Sequence, residues 1–246
     1  MRIKNLKFKI TVSIFLLSAI CYLLSAVSYA QPPLPYDLIG IPTAYPIQKG
    51  NYSLDFRIYG GGGAIVKVRL GLLDALFLGL SLSVDSLIGS NPSSIPTGNP
   101  GVIAKFRVFD EITSKSWPTI SLGFDSSNYW GIKGKGFYGV VSKEFPIGKM
   151  FTHIHGGFNW SVGNNMGMGF FMGCDLFFAP EFSAIGEFEL VNNDATPPQL
   201  YGSYNFGLQY APISTLKVGF FLRNLVGSGG VTGTREIHIG YTNKIF

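Results

Sequence analysis

The chain has 246 residues and only 13% charged side chains, about half the roughly 25% of an ordinary soluble protein, with 32 glycines and 15% aromatic residues. Its formal charge of +5 is a feature of its first residues: Arg2, Lys4, Lys7 and Lys9 precede an apolar run over 10–27, and beyond it the basic side chains nearly balance the 14 acidic ones. No basic stripe is left to support a nucleic-acid partner, and Cys174, alone after residue 30, excludes an intrachain disulfide or a cysteine metal cluster.

The first element, 1–30, has the order of a secretory signal peptide: a basic start, an apolar middle, and small residues Ser28 and Ala30 before a cut near Ala30. An uncleaved anchor is the alternative, and Cys21 is not a lipoprotein site because Ile20 before it is bulky. Residues 31–50, with five prolines, read as an extended periplasmic lead-in. From Asn51 the pattern changes to strict alternation, and about twelve such segments run to the end.

Tyr52, Leu54, Phe56 and Ile58 oppose Ser53, Asp55 and Arg57 in the first; the glycines 60–63 then turn the chain. The next two form a hairpin about Asp74. In it Val66, Val68, Leu70 and Leu72 oppose Lys67, Arg69 and Gly71, while Leu78, Leu80, Leu82 and Val84 oppose Gly79, Ser81, Ser83 and Asp85. The fourth sets Val102, Ala104, Phe106 and Val108 against Lys105 and Arg107, and the fifth Ile120, Leu122 and Phe124 against Ser121 and Asp125. Near 137–143 the pattern is ambiguous, since Val140 and Val141 put apolar groups on both faces.

Alternation resumes with Ile154, Phe158 and Trp160 against His153, His155 and Asn159. It continues with Met168 to Leu176 against Gly167, Gly169, Gly173 and Asp175, then Phe182, Phe188 and Leu190 against Ser183, Glu187 and Glu189. Tyr204, Phe206, Leu208 and Tyr210, then Leu216, Val218, Phe220 and Leu222 against Lys217 and Arg223, lead to Ile237, Ile239, Tyr241 and the terminal Phe246. Long connections alternate with short ones, as in bacterial outer-membrane barrels, with the connection 110–117 the exception.

Alternation alone does not say which face meets water. The polar face does: it is dominated by Gly and Ser rather than the dense Lys and Glu of a solvated surface, which suits a crowded lumen. The fold expected is therefore all-β, a transmembrane antiparallel up-and-down β-barrel of about 12 strands over 51–246. Its lumen-facing charges would be Asp55, Arg57, Lys67, Arg69, Asp85, Lys105, Arg107, Asp125, Asp175, Glu187, Glu189, Lys217 and Arg223. Basic groups gather on the first four strands and acidic ones on the eighth and ninth, so a transverse field is one outcome and internal salt bridges the favoured other. Pairing the first hairpin about Gly62 would set Asp55 opposite Arg69 and, unfavourably, Arg57 opposite Lys67.

His153 and His155 share a face, but no third metal ligand stands near them in sequence, and no metal or other cofactor is expected. With Asn159 and Ser161 they are the candidates for a membrane-embedded lipid-modifying enzyme, though no Gly-x-Ser-x-Gly elbow exists and no catalytic residue is assigned.

Leu38-Ile39-Gly40-Ile41-Pro42-Thr43-Ala44, Gly50, Asp55, Arg57, Gly71-Leu72-Leu73-Asp74 and Asp85-Ser86-Leu87-Ile88-Gly89 resemble the start of YjbH-like outer-membrane barrels, and of small outer-membrane barrels sharing that opening. The resemblance spans about the first third of the chain after the signal, and it implies a part in exopolysaccharide production. The function expected is a narrow channel or a structural component of envelope or exopolysaccharide export in the bacterial outer membrane. Outer-membrane lipid, the barrel-assembly machinery, and polysaccharide or small polar solutes would be its partners. The alternatives are the lipid-modifying enzyme and a soluble periplasmic lipid-binding β-barrel.

Overall fold

A computed structural model describes residues 34–88, 100–111, 117–128, 135–148, 150–161, 167–192, 200–226 and 233–245. The segment 1–30, expected to be a signal peptide, and Phe246 lie outside the described residues, as do parts of the long connections. Six strands form the first half of the sheet: β1 (Asn51–Tyr59), β2 (Gly63–Leu73), β3 (Leu76–Val84), β4 (Gly101–Phe109), β5 (Thr119–Asp125) and β6 (Gly136–Ile147). The second half is β7 (Met150–Trp160), β8 (Met168–Ala179), β9 (Phe182–Asn192), β10 (Leu200–Ile213), β11 (Leu216–Arg223) and β12 (Thr234–Lys244).

Each strand pairs antiparallel with its sequence neighbours, and β1 pairs with β12 from Asn51↔Lys244 to Ile58↔Ile237, closing the barrel. Closure matters because backbone N–H and C=O groups have no water partner in hydrocarbon, and a closed sheet leaves no edge unpaired. Among the described residues no helix is long and apolar enough to cross a membrane.

The alternation resolves as the polar-face argument requires. Leu54, Val68, Leu80, Phe106, Leu122, Ile154, Phe170, Leu208, Phe220 and Ile237 are exposed on the outer wall, while Ser53, Asp55, Arg69, Ser81, Lys105, Ser121, Glu187 and Glu189 are buried inside. Leu80 is 59% exposed and Arg69, next to the outward Val68 on β2, is 2% exposed, the reverse of a water-soluble barrel. The soluble lipid-carrier alternative fails here, because its apolar face would line the interior. Aromatic side chains cluster at both rims: Phe182 stacks on Tyr210 at 4.6 Å near the short turns, and Phe124 meets Phe137 at 4.9 Å near the long connections.

The turn end holds the tight connections 73–76, 147–150, 179–182 and 213–216, together with the longer one at 109–119. Register shifts at Gly71/Leu73, Arg107/Phe109, Phe177/Ala179 and Tyr210/Ile213 all fall on this rim, where bulges bend strands out of the sheet.

One expectation changes in the first hairpin. The pairing is Tyr59↔Gly63, Arg57↔Ile65, Asp55↔Lys67 and Ser53↔Arg69, two residues away from a turn centred on Gly62. The three residues 60–62 make the turn, with Gly61 and Gly62 at φ of 83° and 76°, a backbone region open to glycine. The shift removes the Arg57–Lys67 confrontation and puts a carboxylate opposite Lys67 instead. The ambiguity on β6 also resolves: Val141 faces outward and Val140 inward, where it joins an apolar cluster inside the barrel.

Candidate functional site

What fills the interior is the segment 34–50, expected from its prolines to be a lead-in ahead of the barrel. Leu38, Ile39, Ile41 and Ala44 are buried and pack with Tyr138, Val140, Phe171, Ile185 and Phe221, which project inward from β6, β8, β9 and β11. Tyr36 and Ile47 pack with Phe77 and Ile103 of β3 and β4. These partners come from both sides of the barrel, so the segment crosses the lumen as a plug.

Its path explains its composition. Pro35, Pro42 and Pro46 fix φ and remove donors, keeping the segment out of the β ladder and leaving fewer N–H groups to satisfy in a closed space. Leu38 N–H donates to Ile41 O at 2.9 Å and Thr43 N–H to Tyr36 O at 3.2 Å, folding 37–42 into a tight reversal with Gly40 at its tip. The segment leaves through the turn end, where Gly50 N–H donates to Gly71 O at 2.9 Å and the chain enters β1.

Opposite walls hold the two polar sides of this backbone. On β9 the Glu187 carboxylate accepts N–H bonds from Ile39 at 3.1 Å, Gly40 at 2.8 Å and Ile41 at 3.3 Å, and one from Asn205 Nδ2 at 2.7 Å. On β4 the Lys105 ammonium donates to Tyr36 O at 2.6 Å and Tyr45 O at 3.4 Å. Arg69 of β2 bridges Asp37 of the plug and Asp55 of β1. Tyr36 lies between two cations, with Arg69 Cζ 5.0 Å and Lys217 Nζ 4.4 Å from its ring centre. Ala44 is fixed on both sides: its N–H donates to Ser142 Oγ at 2.7 Å and its carbonyl accepts from Ser121 Oγ at 2.5 Å. The small inner residues of the strands leave the room this needs. A Cβ on Gly173 would stand 2.7 Å from Ile41 Cδ1 and 2.8 Å from Leu38 Cδ1.

The remaining predicted charges also point inward, and they pair rather than face each other across open space. Lys67 bonds Asp125 at 3.2 Å, Arg57 approaches Glu236 at 3.5 Å, and Arg223 approaches Glu189 at 3.5 Å and Glu236 at 3.6 Å. Lys135 also pairs with Glu189. Asp85 accepts from Tyr59 Oη at 2.6 Å near the long connections, and Arg107 meets Asp110 at 3.1 Å at the turn end. Acidic and basic side chains thus line the interior, where they grip the plug and each other.

Several members were missed from sequence. Glu236 and His238 alternate with the outward Ile237 and Ile239, a signal that would have found them; His238 Nε2 lies 2.9 Å from Asp55 Oδ1. Asp37, Tyr36 and Lys135 sit outside any strand, so periodicity carries no trace of them.

The His153 wall has a third member. Asp175 is the cross-strand partner of His153, and its carboxylate lies 3.0–3.1 Å from His153 Nδ1 and 3.0 Å from His155 Nε2. The other ring nitrogens are also engaged, His155 Nδ1 with Ser142 Oγ at 2.7 Å and His153 Nε2 with Glu144 Oε2 at 3.3 Å. Asn159 and Ser161 stand apart from this group and pair with each other at 3.4 Å. Ser142, His155 and Asp175 do form a hydroxyl–imidazole–carboxylate series. The Ser142 hydroxyl, however, is 0% exposed and capped by the Ala44 N–H, so in this conformation no acyl carbon can reach it. Tyr45 covers the pair of imidazoles edge-on, its ring centre 5.4 Å and 6.0 Å from theirs. Burial, aided by the nearby Glu111 and Asp175, raises its phenol far above the ordinary range and keeps it protonated.

No protein-family model and no curated protein sequence matches the chain. Its fold is similar to solved outer-membrane barrels. The KdgM porin is 10% identical, with a TM-score of 0.51 over 78% of this chain and 98% of the porin. The NanC porin is 9% identical, with a TM-score of 0.48 over 79% of this chain and 100% of the other. Omp33 of Acinetobacter baumannii is also 9% identical, at 0.45 over 79% and 97%. At 10% identity the likeness to the KdgM porin is one of fold alone, a β-barrel of outer-membrane type.

Proposed function

We propose that the protein is a narrow outer-membrane channel for small polar solutes whose own N-terminal segment, 34–50, closes the lumen and serves as its gate. Residues 1–30 would direct export and be removed near Ala30, and the barrel-assembly machinery would insert 51–246 with the short turns on the periplasmic side. The observation that carries the proposal is that the obstruction is not part of the sheet. It is held by separable polar contacts, chiefly Glu187 on its N–H groups, Lys105 on its carbonyls and Arg69 on Asp37. Removing such a segment leaves the barrel's own hydrogen-bond ladder intact.

A structural role in envelope or exopolysaccharide export is the second reading. The resemblance of 38–44 to YjbH-like barrels favours it, and so does the apolar packing of Leu38, Ile39, Ile41 and Ala44, which fills the lumen as a core would. Liposome swelling separates the two. Vesicles carrying the full chain should be nearly impermeable to a monosaccharide, and those carrying the double variant Asp37→Asn, Glu187→Gln should admit it. If the double variant folds, shown by heat-modifiable migration, and stays impermeable, the lumen is a fixed core and the structural role stands instead.

A further inference from the structure

We infer that His153, His155 and Asp175 form a binding site for one divalent transition-metal ion of the zinc class on the lumen wall beneath the plug. This does not rest on the channel proposal; it follows from how β7 and β8 place three ligand atoms. His153 and His155 are alternate residues of β7 and so share its inner face, and the β7–β8 register sets Asp175 directly opposite His153. One atom from each of the three lies within 4.8 Å of the others, and all three side chains are buried.

The donor set is the first reason for a cation of this class. Two imidazole nitrogens and one carboxylate are the ligands of many three-residue zinc sites with a fourth position left to water, whereas calcium and magnesium prefer oxygen throughout. The distances of about 3 Å between the carboxylate oxygens and the two ring nitrogens are close to the edge of a tetrahedron around an ion with bonds of about 2.0–2.1 Å. One ligand atom from each group already lies within 4.8 Å of the others, so small side-chain rotations bring all three onto one ion.

The outer contacts are the second reason. A metal-bound imidazole usually gives its other N–H to a carboxylate, carbonyl or hydroxyl, which fixes the ring. Both histidines have that partner. His153 Nε2 faces the Glu144 carboxylate at 3.3 Å, and His155 Nδ1 faces Ser142 Oγ at 2.7 Å. With an ion bound, His153 would coordinate through Nδ1 and donate from Nε2 to Glu144. His155 would coordinate through Nε2 and donate from Nδ1 to Ser142, whose oxygen can also accept the Ala44 N–H. The ion takes the place of the ring protons that otherwise hold Asp175.

Two features set a route and a coupling. Glu144 is half-exposed toward the turn-end mouth of the barrel while the ligands are buried, so an aquated cation would approach along that carboxylate. The chain His155–Ser142–Ala44 connects the site to the plug, and Tyr45 of the plug caps it. Metal occupancy should therefore stiffen the plug at 44–45.

The test uses the full-length barrel refolded in detergent without a polyhistidine tag, freed of metal with a chelator and titrated with Zn²⁺ in a calorimeter. The expected result is one ion per barrel, with binding lost or weakened at least about 100-fold in Asp175→Asn, whose amide keeps the shape and gives up the charge. Asn159→Ala, on the same strand face but outside the cluster, should bind as the wild type does. Should Asp175→Asn fail to fold, Co²⁺ bound to the wild type gives a second readout. X-ray absorption at the cobalt edge should show two imidazoles in the coordination shell. A folded wild-type barrel that takes up no stoichiometric ion, an Asp175→Asn variant that binds as tightly as wild type, or a cobalt shell of oxygen alone would each overturn the inference.

Discussion

Glu187 illustrates how much of this barrel's behaviour rests on single buried groups. Its carboxylate accepts three backbone N–H bonds from the plug's reversal, and charge-assisted bonds of this kind are the strong ones. Glu187→Gln would point an amide N–H at those donors, weakening plug docking by about 2 kcal/mol, or roughly 30-fold in the open population. An Ile41→Cys reporter in a Cys174→Ser background checks this. It should be nearly inert to a water-soluble thiol reagent in the parent barrel and label roughly 30-fold faster with Glu187→Gln added. Equal rates would mean that Glu187 does not hold the plug. Gly173 makes the complementary prediction, because its missing side chain is the space Leu38 and Ile41 occupy. Gly173→Val should raise the same labelling while leaving the barrel folded on a heat-modifiability gel. At this scale the sequence was partly legible. The inward charges were found because a period of two leaves no doubt about which residues share a face. Their partners were not, because Asp37 and the N–H groups of 39–41 belong to a proline-rich segment with no period.

The strands themselves were the most legible level, since outward Leu, Val and Phe alternate with inward Gly, Ser and charge from β1 to β12. The prediction that belongs here concerns lipid depth. Leu80, at the middle of β3 and 59% exposed, should lie near the bilayer centre, and Leu80→Arg should cost about 2–4 kcal/mol in liposomes. Leu73→Arg, at the end of β2, should cost only about 0–1 kcal/mol. Urea-driven unfolding from vesicles measures both, and equal costs would place the membrane boundary elsewhere. Two places resisted a sequence reading for physical reasons. The first hairpin's register depends on which glycines of 60–63 take positive φ, and alternation cannot distinguish registers that differ by two. Strand β6 looked two-faced because Val140 serves the plug and Val141 the lipid. Val140 was in fact a trace of the plug, as were Phe171, Ile185 and Phe221: apolar side chains on an inner wall need something apolar to meet.

For the whole molecule, closure of the sheet and closure of the lumen have different origins. The first follows from hydrogen bonding in hydrocarbon and from alternation. The second comes from a segment preceding β1 that folds back inside, bringing Tyr36 to Thr242 of β12, Asp37 to β2 and Gly40 to β9. The Gly and Ser of the inner face announced a crowded interior without saying what crowds it. The most direct test of the plugged barrel is single-channel recording in a planar bilayer, comparing the full chain with a variant lacking 34–47. The full chain should give a quiet baseline with rare brief openings, and the shortened barrel steady stepwise conductance. A full chain that conducts as steadily as the shortened one would contradict the plug.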